Sequence, residues 1–222
     1  MTWTKYGPNA LLFRFSEKIG DDAFYRGRAL SVELEERPLM GLVEFVPGLT
    51  TVLLEFDAAL VPDVEAIAPD LIIRLKLGMK RRVPPPQLKE IPIVYDGPDL
   101  ERVASHNRRT VADVCRRHAA IVYKVYVLGF TPGFPYLGDL DRRIHTPRLA
   151  SPRPRVPAGS VGIGGEQTGI YTVESPGGWN IIGRTPDKIF DPNRSTDESN
   201  RPAMFLLKPG DRVRFVPSSF PR

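Results

Sequence analysis

Glycine and proline crowd into one part of this chain, and that crowding limits what it can fold into. Eleven glycines lie within the 55 residues from Gly129 to Gly183, and thirteen prolines lie between Thr131 and the C-terminus. Helix interiors tolerate neither residue well, whereas tight turns between short strands need both. The C-terminal half is therefore expected to be all-β.

The first part of the chain reads differently. Ala10–Phe15 has the character of a strand. Asp21–Glu36 carries Phe24, Leu30 and Leu34 at near-helical spacing, opens on two acids that favour the helix dipole, and is ended by Pro38. Leu42–Val46 and Thr51–Phe56 are β-type runs joined by Pro47-Gly48-Leu49-Thr50, a hairpin signature. In Val64–Met79, Ile67, Leu71, Leu75 and Met79 form a helical stripe, with Pro69 in the first turns or dividing the helix in two. The order β-α-β-β-α describes a small α+β domain with its helices on one face. The run Val83-Pro84-Pro85-Pro86 that follows favours a stiff polyproline II linker, which places a boundary between domains 1–86 and 87–222.

The second domain opens with an alternating strand, Lys89–Tyr95, and a short helix over Asp99–Ala104. A firmer helix follows over Thr110–His118, with Thr110 as its N-cap and Val111, Val114 and Cys115 on its inner stripe. Cys115 in that stripe reads as a small buried hydrophobe rather than a nucleophile. Ile121–Leu128 is the strongest strand signal in the chain.

Composition narrows the function classes. Of the 222 residues 41% are hydrophobic, enough for a core. No apolar run approaches the ~18 residues that cross a bilayer, and the N-terminus lacks the basic start and apolar core of a signal peptide, so a cytoplasmic protein with no membrane role is expected. One cysteine excludes an internal disulfide, and three histidines without close ligand spacing argue against a metal site. The formal charge of +5 is uneven: residues 1–88 hold 11 basic and 12 acidic side chains, residues 89–222 hold 20 and 14. Arg142, Arg143, Arg148, Arg153 and Arg155 lie among prolines with few aromatics to stack on bases. They read as a solvated loop, or as a surface for an acidic partner or anionic ligand, and not as a nucleic-acid site.

Several blocks are chemically unusual: GFTPGFPYLG at 129–138, VPAGSVGIGGEQTGIY at 156–171, SPGGWNIIGRTP at 175–186, FDPN at 190–193 and KPGDRVRF at 208–215. In this order and spacing, together with YGPNALLFRF and VPGLTTVLLEFD in the first domain, they resemble the family of the 5-oxoprolinase B subunit, also called allophanate hydrolase subunit 1. Kip-type inhibitors of a sporulation histidine kinase share that family. The resemblance implies an α+β domain followed by a cyclophilin-like β-barrel. It also implies a partner, the 5-oxoprolinase C subunit (allophanate hydrolase subunit 2), and a third protein. Together these make an ATP-dependent enzyme that opens 5-oxo-L-proline to L-glutamate. Fused, the same modules resemble the carboxyltransferase part of urea carboxylase. The chain has no G-x-x-x-x-G-K-[ST] loop, so ATP would be used by the complex and not by a P-loop here.

An amide carbonyl is a poor electrophile, and phosphorylating its oxygen makes a leaving group. The site must then bind a carboxylate, hold a lactam and stabilise charge on oxygen, a task suited to main-chain N–H groups in glycine-rich loops. Gln167 is the one large amide in the loop Gly159–Gly169 and can donate and accept at once to orient a lactam. Arg184 is read as a carboxylate or phosphate ligand, or alternatively as a structural cap; Trp179 as an apolar wall, or alternatively as core. Phe130, Phe134 and Tyr136 alternate with Gly and Pro, and Tyr136 has the polar tip a ligand needs. His118, at a helix end whose dipole favours its protonated form, is a general base or a structural residue. His145 with Arg148 can form the mouth of the site. The candidate catalytic set is therefore His118, Gln167 and Arg184. The candidate substrate-binding set is Phe130, Pro132, Gly133, Phe134, Tyr136, His145, Arg148, Gly159, Ser160, Thr168, Gly177, Gly178 and Trp179.

Three readings compete: one member of a composite 5-oxoprolinase, a regulatory inhibitor of a sensor histidine kinase, and one member of an allophanate or urea amidolyase-type enzyme. A prolyl isomerase is disfavoured, because a fold by itself carries no chemistry.

Overall fold

The computed structural model describes residues 1–18, 20–194 and 203–219, and the chain divides into two compact units, Met1–Pro85 and Pro86–Arg222. The first unit is α+β and the second mainly β, the class expected from the sequence.

In the first unit, strands β1 (Thr2–Lys5), β2 (Ala10–Arg14), β3 (Leu42–Pro47) and β4 (Thr51–Phe56) form an antiparallel sheet of order β1-β2-β4-β3. Leu11 and Phe13 of β2 and Val52, Leu54 and Phe56 of β4 alternate onto one face, where they pack with residues of α1 (Asp21–Glu36) and α2 (Val64–Gly78). Asp63 caps α2 through side-chain bonds from the Glu65 and Ala66 amides, at 3.0 and 3.3 Å. Helix α2 runs unbroken through Pro69. One detail differs from the sequence reading. The unit begins with a strand, β1, that was not expected, so its order is β-β-α-β-β-α. Its missing signal is physical: only four residues long and mostly exposed, β1 needs no apolar pattern to pair with β2.

In the second unit seven strands form one sheet of order β12-β9-β10-β7-β6-β13-β5. Its members are β5 (Leu88–Ile93), β6 (Val122–Leu128), β7 (Pro135–Gly138), β9 (Ser160–Gly164), β10 (Gln167–Ile170), β12 (Asn180–Arg184) and β13 (Arg212–Pro217). The edge strands then meet: Val94, just past β5, and Arg184 of β12 exchange two main-chain hydrogen bonds of 2.9 Å. This seam curls the sheet into a barrel. Gly183 stands against the Val94 carbonyl where no Cβ fits, so the seam requires glycine there. Ile91, Ile93, Tyr123, Val125, Leu137, Val161, Ile163, Ile170, Ile182, Val213 and Phe215 form the inner core, with Val103 of α3 (Leu100–His106) and Val114 of α4 (Val111–Ala119). Thr110 caps α4 as expected, its hydroxyl accepting from the Asp113 amide at 3.1 Å. A two-stranded ribbon, β8 (Arg153–Val156) with β11 (Ser175–Gly177), lies apart from the large sheet.

Candidate functional site

Strand alternation sends one set of side chains into the barrel and the next set outward. On β9, Val161 and Ile163 point in, so Gly162 and Gly164 face out. On β10, Thr168 and Ile170 are inward, so Gln167 and Gly169 are outward. The outward glycines leave a floor without side chains, and the ring of Trp179 lies on it. A Cβ on Gly164 would stand 2.6 Å from Trp179 ring atoms, and one on Gly169 would stand 3.0 Å from Phe134 Cζ and from Trp179 Cζ3. The concentration of glycine in this block thus makes room for an indole.

Around that ring a cavity of about 270 Å³ is lined by Phe130, Phe134, Tyr136, Arg148, Pro152, Tyr171, Pro176, Gly177, Gly178 and Trp179. Phe134 sits at its centre, edge-on to Tyr136, Tyr171 and Trp179 at ring separations of 5.1, 5.2 and 5.3 Å. Phe130 holds a left-handed backbone, φ 69°, which is unfavourable for a bulky residue, and its ring is 60% exposed at the rim. Burial raises the Tyr171 hydroxyl above its ordinary pKa, so it remains a protonated donor. The Tyr136 phenol has no hydrogen-bond partner among the described residues.

Arg148 supplies the charge. Its guanidinium carbon lies 5.6 Å from the Trp179 ring centroid, a cation–π contact, and it makes no ion pair among the described residues. The chain on both sides of it is pinned. Asn180, fully buried, donates to the Pro147 carbonyl at 3.0 Å, and the Leu149 amide donates to the Gly178 carbonyl at 2.7 Å. A cation over an aromatic wall, in a mostly apolar cleft, suits a small anion with an apolar body.

Phe130, Phe134, Tyr136, Arg148, Gly177, Gly178 and Trp179, all singled out in the sequence, are brought together here. Trp179 answers both of its readings, being a wall of the cavity and 5% exposed. Gln167 shares the outward face of β10 with Gly169 but flanks the cavity and does not line it. Pro132 and Gly133 turn the chain between Phe130 and Phe134; the Pro132 carbonyl accepts from Thr172, and Gly133, at φ 74°, abuts Phe190 and Phe205. His145 bonds the Leu140 carbonyl through Nε2 at 3.0 Å, outside the cavity lining. Gly159 and Ser160 lie at other cavities, as does Arg184, whose Nε donates to Asp96 at 3.0 Å. Arg184 and Trp179 are thus not parts of one pocket, and Arg184 is neither a carbonyl cap nor unpaired.

Two expectations are corrected. His118 is completely buried: Nδ1 lies 2.8 Å from the Tyr95 hydroxyl and Nε2 lies 2.9 Å from Thr168 Oγ1. The Thr168 hydroxyl spends its own hydrogen on the Gly162 carbonyl, so it accepts from Nε2–H, and Nδ1 accepts from Tyr95. Desolvation pushes the His118 pKa down to about 3, against the dipole effect expected at a helix end. A neutral, fully bonded, enclosed imidazole is a structural post and not a general base. Thr168, equally buried, is its partner and not a substrate ligand.

Three residues of the cavity were missed: Tyr171, Pro152 and Pro176. Tyr171 closes the block VPAGSVGIGGEQTGIY and reads locally as a strand end, although an aromatic ending a glycine-rich run was a usable signal. Pro152 comes from the arginine-rich loop, in which Arg143 pairs with Asp141, Arg153 with Asp99 and Arg155 with Glu174, while Arg142, like Arg148, has no ion pair among the described residues. A larger hollow of about 840 Å³ in the first unit is lined by Glu33, Asp70, Arg74 and Arg81. Arg81 and Arg74 both pair with Glu33 there, at 2.7 and 3.5 Å.

The fold agrees with what known proteins show. The chain belongs to the family described as carboxyltransferase domain, subdomain C and D, which matches residues 1–199. Within it, the chain is similar to the 5-oxoprolinase B subunit of Bacillus subtilis, 38% identical over 95% of this chain and 90% of that protein. It is also similar to the 5-oxoprolinase B subunit of Escherichia coli O157:H7, at 45% identity over 79% of this chain and 78% of that one. The crystal structure of TTHA0988 superposes with a TM-score of 0.81 at 39% identity; it covers 96% of this chain, which spans only 40% of that longer one. The urea carboxylase of Kluyveromyces lactis, at 22% identity and a TM-score of 0.75, shares the fold, and this chain spans 22% of it. Likeness to urea amidolyase of Saccharomyces cerevisiae is distant, at 24% identity over 12% of that protein.

Proposed function

We propose that the chain is the B-type member of an ATP-dependent 5-oxoprolinase and that its aromatic cavity holds 5-oxo-L-proline. The observation that carries the reading is Arg148: a guanidinium over Trp179 with no ion pair among the described residues, carried on main chain held on both sides, at the edge of a small aromatic cleft. Similarity to two proteins named as B subunits of 5-oxoprolinase supports it. The substrate is a compact five-membered lactam bearing one carboxylate. Its ring methylenes match the faces of Phe134 and Trp179, and its carboxylate matches the Arg148 fork. The Tyr136 hydroxyl is placed to donate to the lactam carbonyl, where charge develops as the ring opens. Phe134, Tyr171 and the ribbon strand β11 surround the lactam ring, and the carboxylate meets Arg148 at the exposed rim of the cavity. Gln167, on the same outward face, is placed to meet a group that extends beyond the cavity.

ATP, as co-substrate of the complex, turns the amide oxygen into a leaving group. The cavity, with one arginine and no glycine-rich phosphate loop, does not fit a triphosphate, so no nucleotide step is assigned to these residues. In this reading the enzyme is made whole by a C-type partner, homologous to allophanate hydrolase subunit 2, and by a third protein. The long relative of which this module forms 40% is consistent with a module that works joined to others.

Reconstitution tests it. Alone, the chain is expected to show no 5-oxoproline-dependent ATP hydrolysis; with the C-type partner and the third protein, turnover is expected. Full turnover by the isolated chain, or none by the complete mixture, contradicts the proposal.

A further inference from the structure

On the other side of the β8–β11 ribbon lies a second cavity, of about 340 Å³, that shares no lining residue with the aromatic one. Strand β11 lines the first and β8 lines the second, so the ribbon is their common wall. Its apolar body comes from Val156 and Ile181, which belong to the same cluster as Trp179.

The second cavity collects donors that the protein leaves unused. Arg184 spends only Nε, on Asp96, and its two terminal nitrogens make no hydrogen bond among the described residues. Arg153 gives one terminal nitrogen to Asp99 at 2.6 Å, while its other, Nη1, is buried without a partner. Ser160 is 6% exposed and lines the cavity, and its hydroxyl has no partner among the described residues. Buried polar groups are ordinarily satisfied, so the buried Arg153 Nη1 calls for an acceptor that the described residues do not supply, and the Arg184 terminal nitrogens and the Ser160 hydroxyl, which remain open to solvent, line the same hollow. All of them are donors of the kind that take oxyanions, two of them guanidinium forks. The acids present do not cancel them: Asp96 already accepts from Arg184, and Asp99 from Arg153 and the Ile181 amide, the latter at 2.6 Å.

We infer that this cavity is a second ligand site, taking the oxyanion of a small organic phosphate or carboxylate, with Arg153, Arg184 and Ser160 as its ligands and Val156 and Ile181 against the body of the molecule. Such a site exists whatever reaction the aromatic cavity serves.

Titration of the isotopically labelled chain with inorganic phosphate, pyrophosphate and succinate tests it, read on the amides of Gly97, Ser160 and Gly183. At least one probe is expected to saturate these amides below about 10 mM. Arg184→Gln is expected to weaken that binding by roughly tenfold, the loss of one charge-assisted contact. Ser160→Ala, which removes one atom from a folded strand, is expected to weaken it by a smaller factor, and Arg148→Gln in the other cavity is expected to leave it unchanged. Tighter binding of phosphates identifies a phosphorylated ligand, and tighter binding of succinate a carboxylate. No saturation by any probe, or an isotherm that Arg184→Gln and Ser160→Ala leave unaltered while Arg148→Gln weakens it, overturns the inference.

Discussion

Asn180 fixes the main chain one residue before Arg148, because its side-chain amide donates to the Pro147 carbonyl at 3.0 Å. The same amide also donates to the Ile163 carbonyl of β9 at 3.0 Å, and its oxygen accepts from Arg102 at 2.7 Å. A single buried side chain thus ties the loop that carries the cation to the strand that carries the glycine floor. Asn180→Ala leaves these partners unpaired, at about 1–3 kcal/mol for each buried group. The melting temperature is expected to fall by several degrees. In the reconstituted enzyme the KM for 5-oxo-L-proline should rise more than kcat falls. A variant that melts early yet binds substrate normally would show that Asn180 has no positioning role.

Gly164→Ala places a Cβ 2.6 Å from the indole of Trp179. Overpacking of this kind costs about 1–3 kcal/mol, and the ring is the movable party. Indole fluorescence should shift and the affinity for 5-oxo-L-proline should drop. Gly165→Ala, one residue on, meets nothing within 4 Å but sits at φ 67°; it should lose some stability without shifting the indole emission.

His118 gives the second unit a defined acid response. Its folded pKa, about 3, lies below the ordinary 6.5, so the unfolded chain binds the extra proton. Stability is fully present above pH 6.5 and is lost as pH falls from there towards 3, by about 1.4 kcal/mol per pH unit at most. His118→Gln, which cannot titrate, should flatten that decline by one proton. The pH profile of kcat/KM should carry no ionisation from this residue, and an ionisation that vanishes in His118→Gln would restore its catalytic reading.

In the first unit, the hydrogen bond from Arg81 holds the Glu33 carboxyl below its ordinary pKa. That contribution is present above about pH 4.5, the usual carboxylate value, and is lost as pH falls through the lowered folded value. Arg81→Met should lower the melting temperature of this unit at pH 7 and narrow the gap between its stability at pH 7 and at pH 3. An unchanged gap would show that the pair is screened by solvent.

Helix α1 could be read from sequence to its exact ends, because two acids open it and Pro38 follows it. The loop carrying Phe130, Phe134 and Tyr136 was legible as part of a site, since rings alternate there with Gly and Pro, whereas Tyr171, Pro152 and Pro176 of the same cavity gave no such pattern. The roles of His118 and Arg184 were not legible. What decides His118 is Thr168, fifty residues away, and Tyr95, twenty-three residues away. What separates Arg184 from Trp179 is the seam with Val94, a pairing between opposite ends of the sheet. Arg148 and Arg184 each stand within two residues of a proline, and only the closure of the barrel reveals which of them faces the rings.

The central claim is that Arg148 reads the carboxylate of a lactam seated among Phe134, Tyr136, Tyr171 and Trp179. The direct measurement is kcat/KM of the reconstituted complex for 5-oxo-L-proline and for 2-pyrrolidinone, the same ring without the carboxylate, with the wild-type chain and with Arg148→Gln. A charged contact of about 1.5–3 kcal/mol predicts a loss of roughly 10- to 150-fold for 5-oxo-L-proline in the variant, little change for 2-pyrrolidinone, and an unaltered melting temperature, since Arg148 is exposed and has no ion pair among the described residues. Equal losses on both substrates, or full activity of Arg148→Gln on 5-oxo-L-proline, would contradict it.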